Sequence, residues 1–596
     1  MCGICGEIRL DNSVPDQAQL ERMLEVLQPR GPDDGGVWQD GALLFGHRRL
    51  SIIDLSDRSH QPMVVTDGAG NSYAVVFNGT IYNYRELRDE LVGAGHSFRS
   101  SGDTEVILRA YQQWGESCVE HFEGMFAFAI WNSTTRELYL ARDRMGIKPL
   151  YWLQDCNRIL FASTLPTLLA ADGVDRELDA AALHNHFTLH GVVPAPRTLF
   201  KSIHKMEPAH WIRFSATGEA KKSRYWSLKA VRPAQSKSEW EWAEEVRDAL
   251  LRAVEIRRAA SDLPVGVLLS GGLDSSLLVG MLSEAGHRDI RTFSIGFEDS
   301  PEESGNEFIF SDAVVEKFQT KHTKITIPND RALSRLSEAV DAMSEPMFGQ
   351  DAIGFYLLAE QVSKDVHVVL SGQGADEVFG GYFWYPQMAE NSEGYGSSLD
   401  RFRNHYFDRD HPEMLRLLTK QYRGQDWSGE LMQTLLNQPD AETFMDQVLR
   451  ADTTALVVDD PVKRVDNMTM AWGLEARVPF LDHKLVELAA SIPPELKLKH
   501  HGKGPLKLIS RGLLPDSVID RPKGYFPMPA LKYVRGEFLE FMQDILGSQQ
   551  CRERGLYDRA YIEKLLNNPT AKESFTRIQG SKLWQLALTE YWLQSH

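Results

Sequence analysis

The chain has 596 residues, 42% of them hydrophobic and 25% charged, the balance of a soluble globular protein too long for one ordinary core, so two or more domains are expected. Its formal net charge of −18 argues against a nucleic-acid surface. Five cysteines make no disulfide framework, which implies a reducing cytoplasm; no apolar run approaches a membrane span, and Met1-Cys2-Gly3 begins no signal peptide.

The chain opens MCGICGEIRL. Cys2 and Cys5 form a CxxC, but no second CxxC or nearby His pair completes a zinc site, and no thioredoxin-like βαβ unit precedes it. The competing reading makes Cys2 alone the chemical residue. Removal of Met1 leaves Cys2 with a free amine, whose ordinary pKa of about 7.7–8.0 lets it take the thiol proton near neutrality. One residue then supplies nucleophile and base. Helices are expected at Gln17–Leu27, Tyr84–Gly93 and Thr104–Trp114. Strands are expected at Ala74–Phe77, Phe126–Trp131, Glu137–Arg142 and Ile159–Ala162, which gives a layered, β-rich domain. Asn78-Gly79 follows an apolar strand and reads on its own as a hairpin turn.

The texture changes between Leu178 and Ser236. Val192–Thr198 is Pro-rich, Ala209–Phe214 reads as a last strand, and Val231–Ser238 is a polar connector. Trp240–Ser261 then has the spacing of a long amphipathic helix. The expected division is 1–210 for the first domain, 211–238 for a linker and 239–596 for the second. Val265–Leu269 reads as a buried parallel strand, Ser270-Gly271-Gly272 as a turn, and a helix begins near Asp274. Strand, Gly-rich turn and helix N-terminus make a phosphate-binding arrangement. No Lys follows the glycines, so it is not the mononucleotide P-loop. Thr292–Phe297 and Val366–Leu370 are further strands; their alternation with helices implies a parallel sheet with ligands at the C-terminal strand ends. By residue type alone Asp274 is a helix N-terminal acid and Asp376 a turn residue. His184, His186 and His500-His501 come without carboxylates or cysteines at ligand spacing and read as surface or packing histidines.

SGGLDSS (Ser270–Ser276) resembles the pyrophosphate loop of ATP pyrophosphatases, which cleave ATP to AMP and pyrophosphate. In the first half, MCGICG, RGPDDGG (Arg30–Gly36), GHRRLSIIDLS (Gly46–Ser56), FNGTIYNYRELR (Phe77–Arg88), SGDTEV (Ser101–Val106), GMFAFAIW (Gly124–Trp131) and LARDRMGIKPLYW (Leu140–Trp152) together resemble the glutaminase domain of the asparagine synthetase family. KRVDNMTMAWGLEARVPFLD (Lys463–Asp482) and DRPKGYF (Asp520–Phe526) resemble its synthetase domain. The resemblance covers nearly the whole chain, most thinly across Tyr382–Asp459 and after Met528. It implies a two-domain α/β and α+β fold, an N-terminal nucleophile αββα sandwich followed by an ATP-pyrophosphatase-type parallel-sheet synthetase domain.

The resemblance also implies roles. The Asn78 side chain and Gly79 N–H would form an oxyanion hole, each donor worth about 3–4 kcal/mol. Arg49 would fork onto the glutamine carboxylate and Asp103 pair with its ammonium. Leu269, Ile295, Ser371 and Gly372 would line the adenine and ribose site beside the loop of Ser270, Gly271, Gly272 and Ser275. Asp274 and Asp376 would hold Mg²⁺ on the pyrophosphate of ATP, and Lys523 would stabilise the pyrophosphate as it leaves. Cys2 would free ammonia from glutamine, ATP would adenylate an acceptor carboxylate, and ammonia would reach it through a dry passage. The partners are then small molecules, with no nucleic acid and no membrane, and a homodimer is compatible.

Two positions depart from the family pattern. Thr80 stands where asparagine synthetases usually carry Glu after Asn-Gly, and a Thr cannot give the glutamine ammonium a second charge. Either glutamine binds more weakly, or Asp103 and backbone carbonyls suffice. Gln373 stands where the family usually reads SGEG, with a Glu proposed to take the proton of attacking ammonia. Gln cannot take a proton, so the base is sought at Glu345, Glu377 or a phosphate oxygen. EPMFGQDAIGFYLLAE (Glu345–Glu360) and SGQGADEVFGGYFWYP (Ser371–Pro386) resemble a subgroup that amidates the dipeptide N-acetylglutaminylglutamine, a compatible solute. The aromatic run Tyr382–Tyr385 either lines a wider pocket or packs. L-Aspartate is the alternative acceptor. The rival classes are an adenylating ligase or thiolase that ignores glutamine, which leaves the first half idle, and a non-catalytic glutamine- or nucleotide-sensing relative, against which Cys2, Asp274 and Asp376 argue.

Overall fold

The computed structural model describes residues 2–299, 304–390, 396–521, 531 and 533–596. The first strands are β1 (Gly3–Arg9), β2 (Asp34–Asp40), β3 (Leu43–Arg49), β4 (Met63–Thr66), β5 (Ser72–Ile81) and β6 (Gly124–Asn132). β7 (Glu137–Arg142), β8 (Tyr151–Gln154), β9 (Arg158–Ala162), β10 (His204–Lys205), β11 (His210–Phe214) and β12 (Ala220–Arg224) follow. They form two six-stranded antiparallel sheets, ordered β10-β8-β9-β1-β3-β2 and β12-β11-β7-β6-β5-β4. β6 shows why the sheets stack. Ala127, Ala129 and Trp131 enter the layer between the sheets with Ile4, Ile8, Phe45 and Val76. Phe126, Phe128 and Ile130 alternate to the other face, in one core with Leu87, Leu91, Val106 and Ile107 of the helices Tyr84–Gly93 and Asp103–Trp114. A period of two thus serves two cores at once. The helix Gln17–Leu27 buries Leu20, Met23, Leu24 and Leu27 against the first sheet, which completes the αββα sandwich.

Two readings change here. Asn78-Gly79 is not a hairpin turn, because β5 runs through it with Asn78 opposite Ala127 and Gly79 opposite Phe126. The stretch 211–238, expected as a linker, is partly sheet: it holds the rest of β11 and all of β12. β12 reads AKKSR and is almost wholly exposed; an edge strand with no apolar residue on alternate positions carries no periodic signal. The connector starts after Arg224. It ends at the helix Glu239–Ala259, which Ser238 and Glu241 close with a capping box.

The second domain is built on β13 (Val265–Leu268), β14 (Arg291–Phe297), β15 (Lys321–Ile327), β16 (Val368–Leu370) and β17 (Glu475–Arg477), all parallel, in the order β15-β14-β13-β16-β17. The chain builds outward from β13 in one direction, then returns to its other side with β16. That reversal is a topological switch point, and the crevice beyond the strand ends there is where open α/β sheets bind ligands. β17 lies inside the stretch Lys463–Asp482, where no strand was expected; three residues, EAR, are too few to show a period.

Candidate active sites

Cys2 leads into the central strand β1 and is buried. Its backbone N–H donates to Asn78 Oδ1 at 3.2 Å, so the facing sheets bring the two together across 76 residues. Asn78 Nδ2 has no partner among the described residues and is an available donor beside the thiol. Gly79 has φ +151°, and a Cβ there would lie 2.1 Å from the Met125 carbonyl oxygen; only glycine fits. Burial pushes the Cys2 thiol up, opposed in part by the Leu50 backbone and the Arg49 charge. A neutral thiol needs a base before it can attack. Met1 lies outside the described residues.

Arg49 closes β3, its Nη2 donating to the Asp54 carbonyl at 2.5 Å and its Nη1 to that of Ser56 at 3.2 Å. Two of its five donors are thereby fixed and the plane is oriented. Asp103 begins the helix Asp103–Trp114 and accepts from the Ile81 N–H at 3.0 Å. Burial outweighs that bond and pushes its carboxyl up to about 6. Cys2, Asn78, Gly79 and Asp103 thus meet around the end of β5, with Arg49 acting on the thiol.

At the switch point the loop after β13 folds on itself. Ser270 N–H donates to Ser275 Oγ at 3.2 Å, Gly272 N–H to Ser270 Oγ at 3.2 Å, and Gly272 caps the helix Leu273–Glu284. Leu269 N–H donates to the Phe293 carbonyl at 2.8 Å, and Ile295 follows two residues on in β14. Ser371 and Gly372 come from the other side of the reversal. A Cβ on Gly372 would stand 3.0 Å from Asp274 Cβ, so the two loops touch. Asp274 and Asp376 converge on one cation: Lys503 Nζ lies 2.6 Å from the first carboxylate and 2.8 Å from the second. Two carboxylates within reach of a single charge fit a Mg²⁺ site built on one or two acids plus phosphate oxygens. Lys523 lies outside the described residues.

Of the bases weighed for Gln373, Glu345 is buried between lysines, 2.5 Å from Lys205 and 3.4 Å from Lys463, and also accepts from the Leu199 N–H. Both carboxylate oxygens are thereby taken up, Oε2 by the two lysines and Oε1 by the Leu199 N–H. Glu377 differs. Burial, with Asp452 and Asp376 beside it, pushes its carboxyl up to about 8, and Tyr382 Oη donates to it at 2.7 Å. In the aromatic run, Trp384 and Tyr385 are buried, Tyr382 stacks on Trp384 at 4.3 Å, and Tyr385 Oη donates to Asp452.

Sequence reading missed the groups that join the domains. Asp466 accepts from Arg30 Nη1 and Lys148 Nζ, both at 2.9 Å, and Arg30 Nε reaches the Cys2 carbonyl at 3.4 Å. Lys503 sits in the HHGKG stretch singled out only for its histidines. His500 and His501 have positive φ. His184 is buried and bonded to Ser428 Oγ at 2.7 Å and His411 Nδ1 at 3.1 Å; Asp426 lies near them but caps the helix Trp427–Leu436 and pairs with Arg403. Those contacts account for the trio as packing.

The family model described as asparagine synthase matches residues 245–594, and that of a glutamine amidotransferase domain matches 1–226. Asparagine synthetase [glutamine-hydrolyzing] 3 of Bacillus subtilis is 32% identical over 95% of this chain and 93% of its own length. The enzyme numbered 1 from the same organism is 31% identical over 99% and 96%. A putative asparagine synthetase of Mycobacterium tuberculosis is 32% identical over 96% and 93%.

Proposed function

Because the chain belongs to the asparagine synthetase family and is an ATP-dependent glutamine amidotransferase ligase, we propose that it amidates N-acetylglutaminylglutamine, with the two sites dividing the work. In the first, Cys2 Sγ attacks the side-chain carbon of glutamine. The α-amine exposed by loss of Met1 takes the thiol proton and passes it to the departing ammonia, while Asn78 Nδ2 and the Gly79 N–H hold the oxyanion. Water then cleaves the thioester and glutamate leaves. Arg49 and Asp103 orient the glutamine ends.

In the second site an acceptor carboxylate oxygen attacks the α-phosphorus of ATP and pyrophosphate leaves. Ammonia attacks the acyl carbon of the adenylate and AMP leaves. Asp274 and Asp376 would hold Mg²⁺, which when bound neutralises charge on the phosphates, and Lys523 would meet the departing pyrophosphate. Glu377, not Glu345, takes the proton of attacking ammonia. A small cavity at the junction is lined by Arg142, Ile147, Tyr151, Lys205, Val458 and Lys463. Arg142 there is tied to the carbonyls of Gly146, Lys148 and Met206 at 2.6–2.7 Å, so its charge needs no bulk water.

The observation that carries the reading is the Gln373 departure, with a buried, proton-holding Glu377 four residues on. The test is purified protein with ATP, Mg²⁺, glutamine and either the dipeptide or L-aspartate, products read by mass spectrometry. The dipeptide amide is expected. Asparagine formed from aspartate, with the dipeptide untouched, would refute the acceptor and leave the rest standing.

A further inference from the structure

A second cavity lies where the connector meets the second domain, the Ala230 N–H donating to the Asp440 carbonyl at 2.8 Å. Leu228 and Ala230 of the connector, with Val378 and Val486, give the cavity apolar walls, and Asp446, Arg450 and Lys497 also line it. Its free space is about 10 Å³, near the least that admits one water-sized occupant. All three charged residues are buried, at 4% exposure or less. Asp446 and Arg450 stand four apart on the helix Phe444–Ala451 and share a face of it. Lys497 ends the short helix Pro494–Lys497.

The charges around this cavity do not balance. Arg232, also from the connector, occupies the one acid: its Nη2 donates to the two Asp446 oxygens at 2.7 and 2.8 Å, and Thr443 Oγ1 donates to Oδ2 at 2.8 Å. Neither remaining cation makes an ion pair among the described residues. Arg450 directs Nη1 and Nη2 to the carbonyls of Pro439 and Gln438, and its buried Nε has no partner among the described residues. Lys497 Nζ donates to the Ala489 carbonyl at 2.9 Å, which uses one of three donors. Asp446 acts on both cations from a distance, as do the exposed Asp440 on Arg450 and the exposed Glu495 on Lys497, while Arg224 and Arg232 add further positive charge. Burial wins in each case and pushes both groups down, Lys497 to about 8. Buried charge is costly unless it is paired. A water molecule in the cavity could accept a hydrogen bond but could not cancel the charge. We propose that the cavity between Lys497 and Arg450 binds one halide-sized monovalent anion, which completes the seating of the connector on the synthetase domain.

The probe is bromide. Its anomalous X-ray scattering locates it in crystals of the full-length protein, and its binding in solution is read from the thermal midpoint, with gluconate replacing it at constant ionic strength. Wild type is expected to show a bromide peak in the cavity and, near neutral pH, a midpoint that rises with bromide and follows a single-site curve. That rise should fade as the pH passes above about 8 and Lys497 loses its proton. Lys497→Met keeps the length of the side chain without its charge. It should weaken bromide by about 10- to 100-fold and lose the pH dependence. If Lys497→Met does not fold, the crystal peak and the wild-type pH series decide the matter. A midpoint that rises equally in wild type and variant, the absence of a peak in the cavity, or a peak without any rise in midpoint would overturn the proposal.

Discussion

Asp466→Asn tests whether the domain junction is held by charge. The carboxylate is buried, as are both its partners, with side-chain exposures of 2% for Asp466, 6% for Arg30 and 1% for Lys148. Burial by itself would raise its pKa, but Arg30 and Lys148 overcome that and pull it down to about 2 from an ordinary 3.8. A shift of that size corresponds to roughly 2–3 kcal/mol of stability. The folded pKa is depressed, so the contribution is fully present above pH 3.8 and is lost as pH falls through about 2. The variant loses more than the linkage figure, because it strands two buried cations; removing one partner of such a pair costs about 3–5 kcal/mol. Since Arg30 also reaches the Cys2 carbonyl, the junction and the thiol should loosen together. Two readouts apply at pH 7, the thermal midpoint and the glutamate released per amide formed. A lower midpoint with excess glutamate is expected. A variant with the native midpoint and native stoichiometry would refute the argument.

Cys2→Ala should bring glutamine hydrolysis to background while amide formation from ammonium salts continues; equal loss with both nitrogen sources would count against two separate sites. Lys503→Met removes a cation that Asp274 and Asp376 share, and AMP formation should fall by roughly 100-fold or more; pyrophosphate release at the native rate would count against a part for Lys503 in the nucleotide site. Glu377 is protonated below about 8, so at fixed free ammonia the amidation rate should climb with pH and level off above that value. Glu377→Gln should abolish this limb; a rising limb of the same midpoint in the variant would assign the base elsewhere.

The Ser270–Ser275 turn and the helices Gln17–Leu27 and Tyr84–Gly93 were legible because their signals are local. Glycines between an apolar strand and a helix, and apolar residues at helical spacing, each occupy a few neighbouring positions. The misread elements lacked that property. β12 has no buried face, β17 is three residues long, and Asn-Gly is as acceptable at mid-strand as in a turn once Gly79 has to pass Met125. For Asp466 and Lys503 the missing information was of another kind. Each is an ordinary charged residue in sequence, and its partner lies 436 or 229 residues away. A charge acquires a function from the dielectric around it and from the groups within about 4 Å. Those are set only when the sheets and domains close over it, so residue types and their order could name the chemistry of each half, while the pairing of acids with cations far apart in sequence was decided by packing.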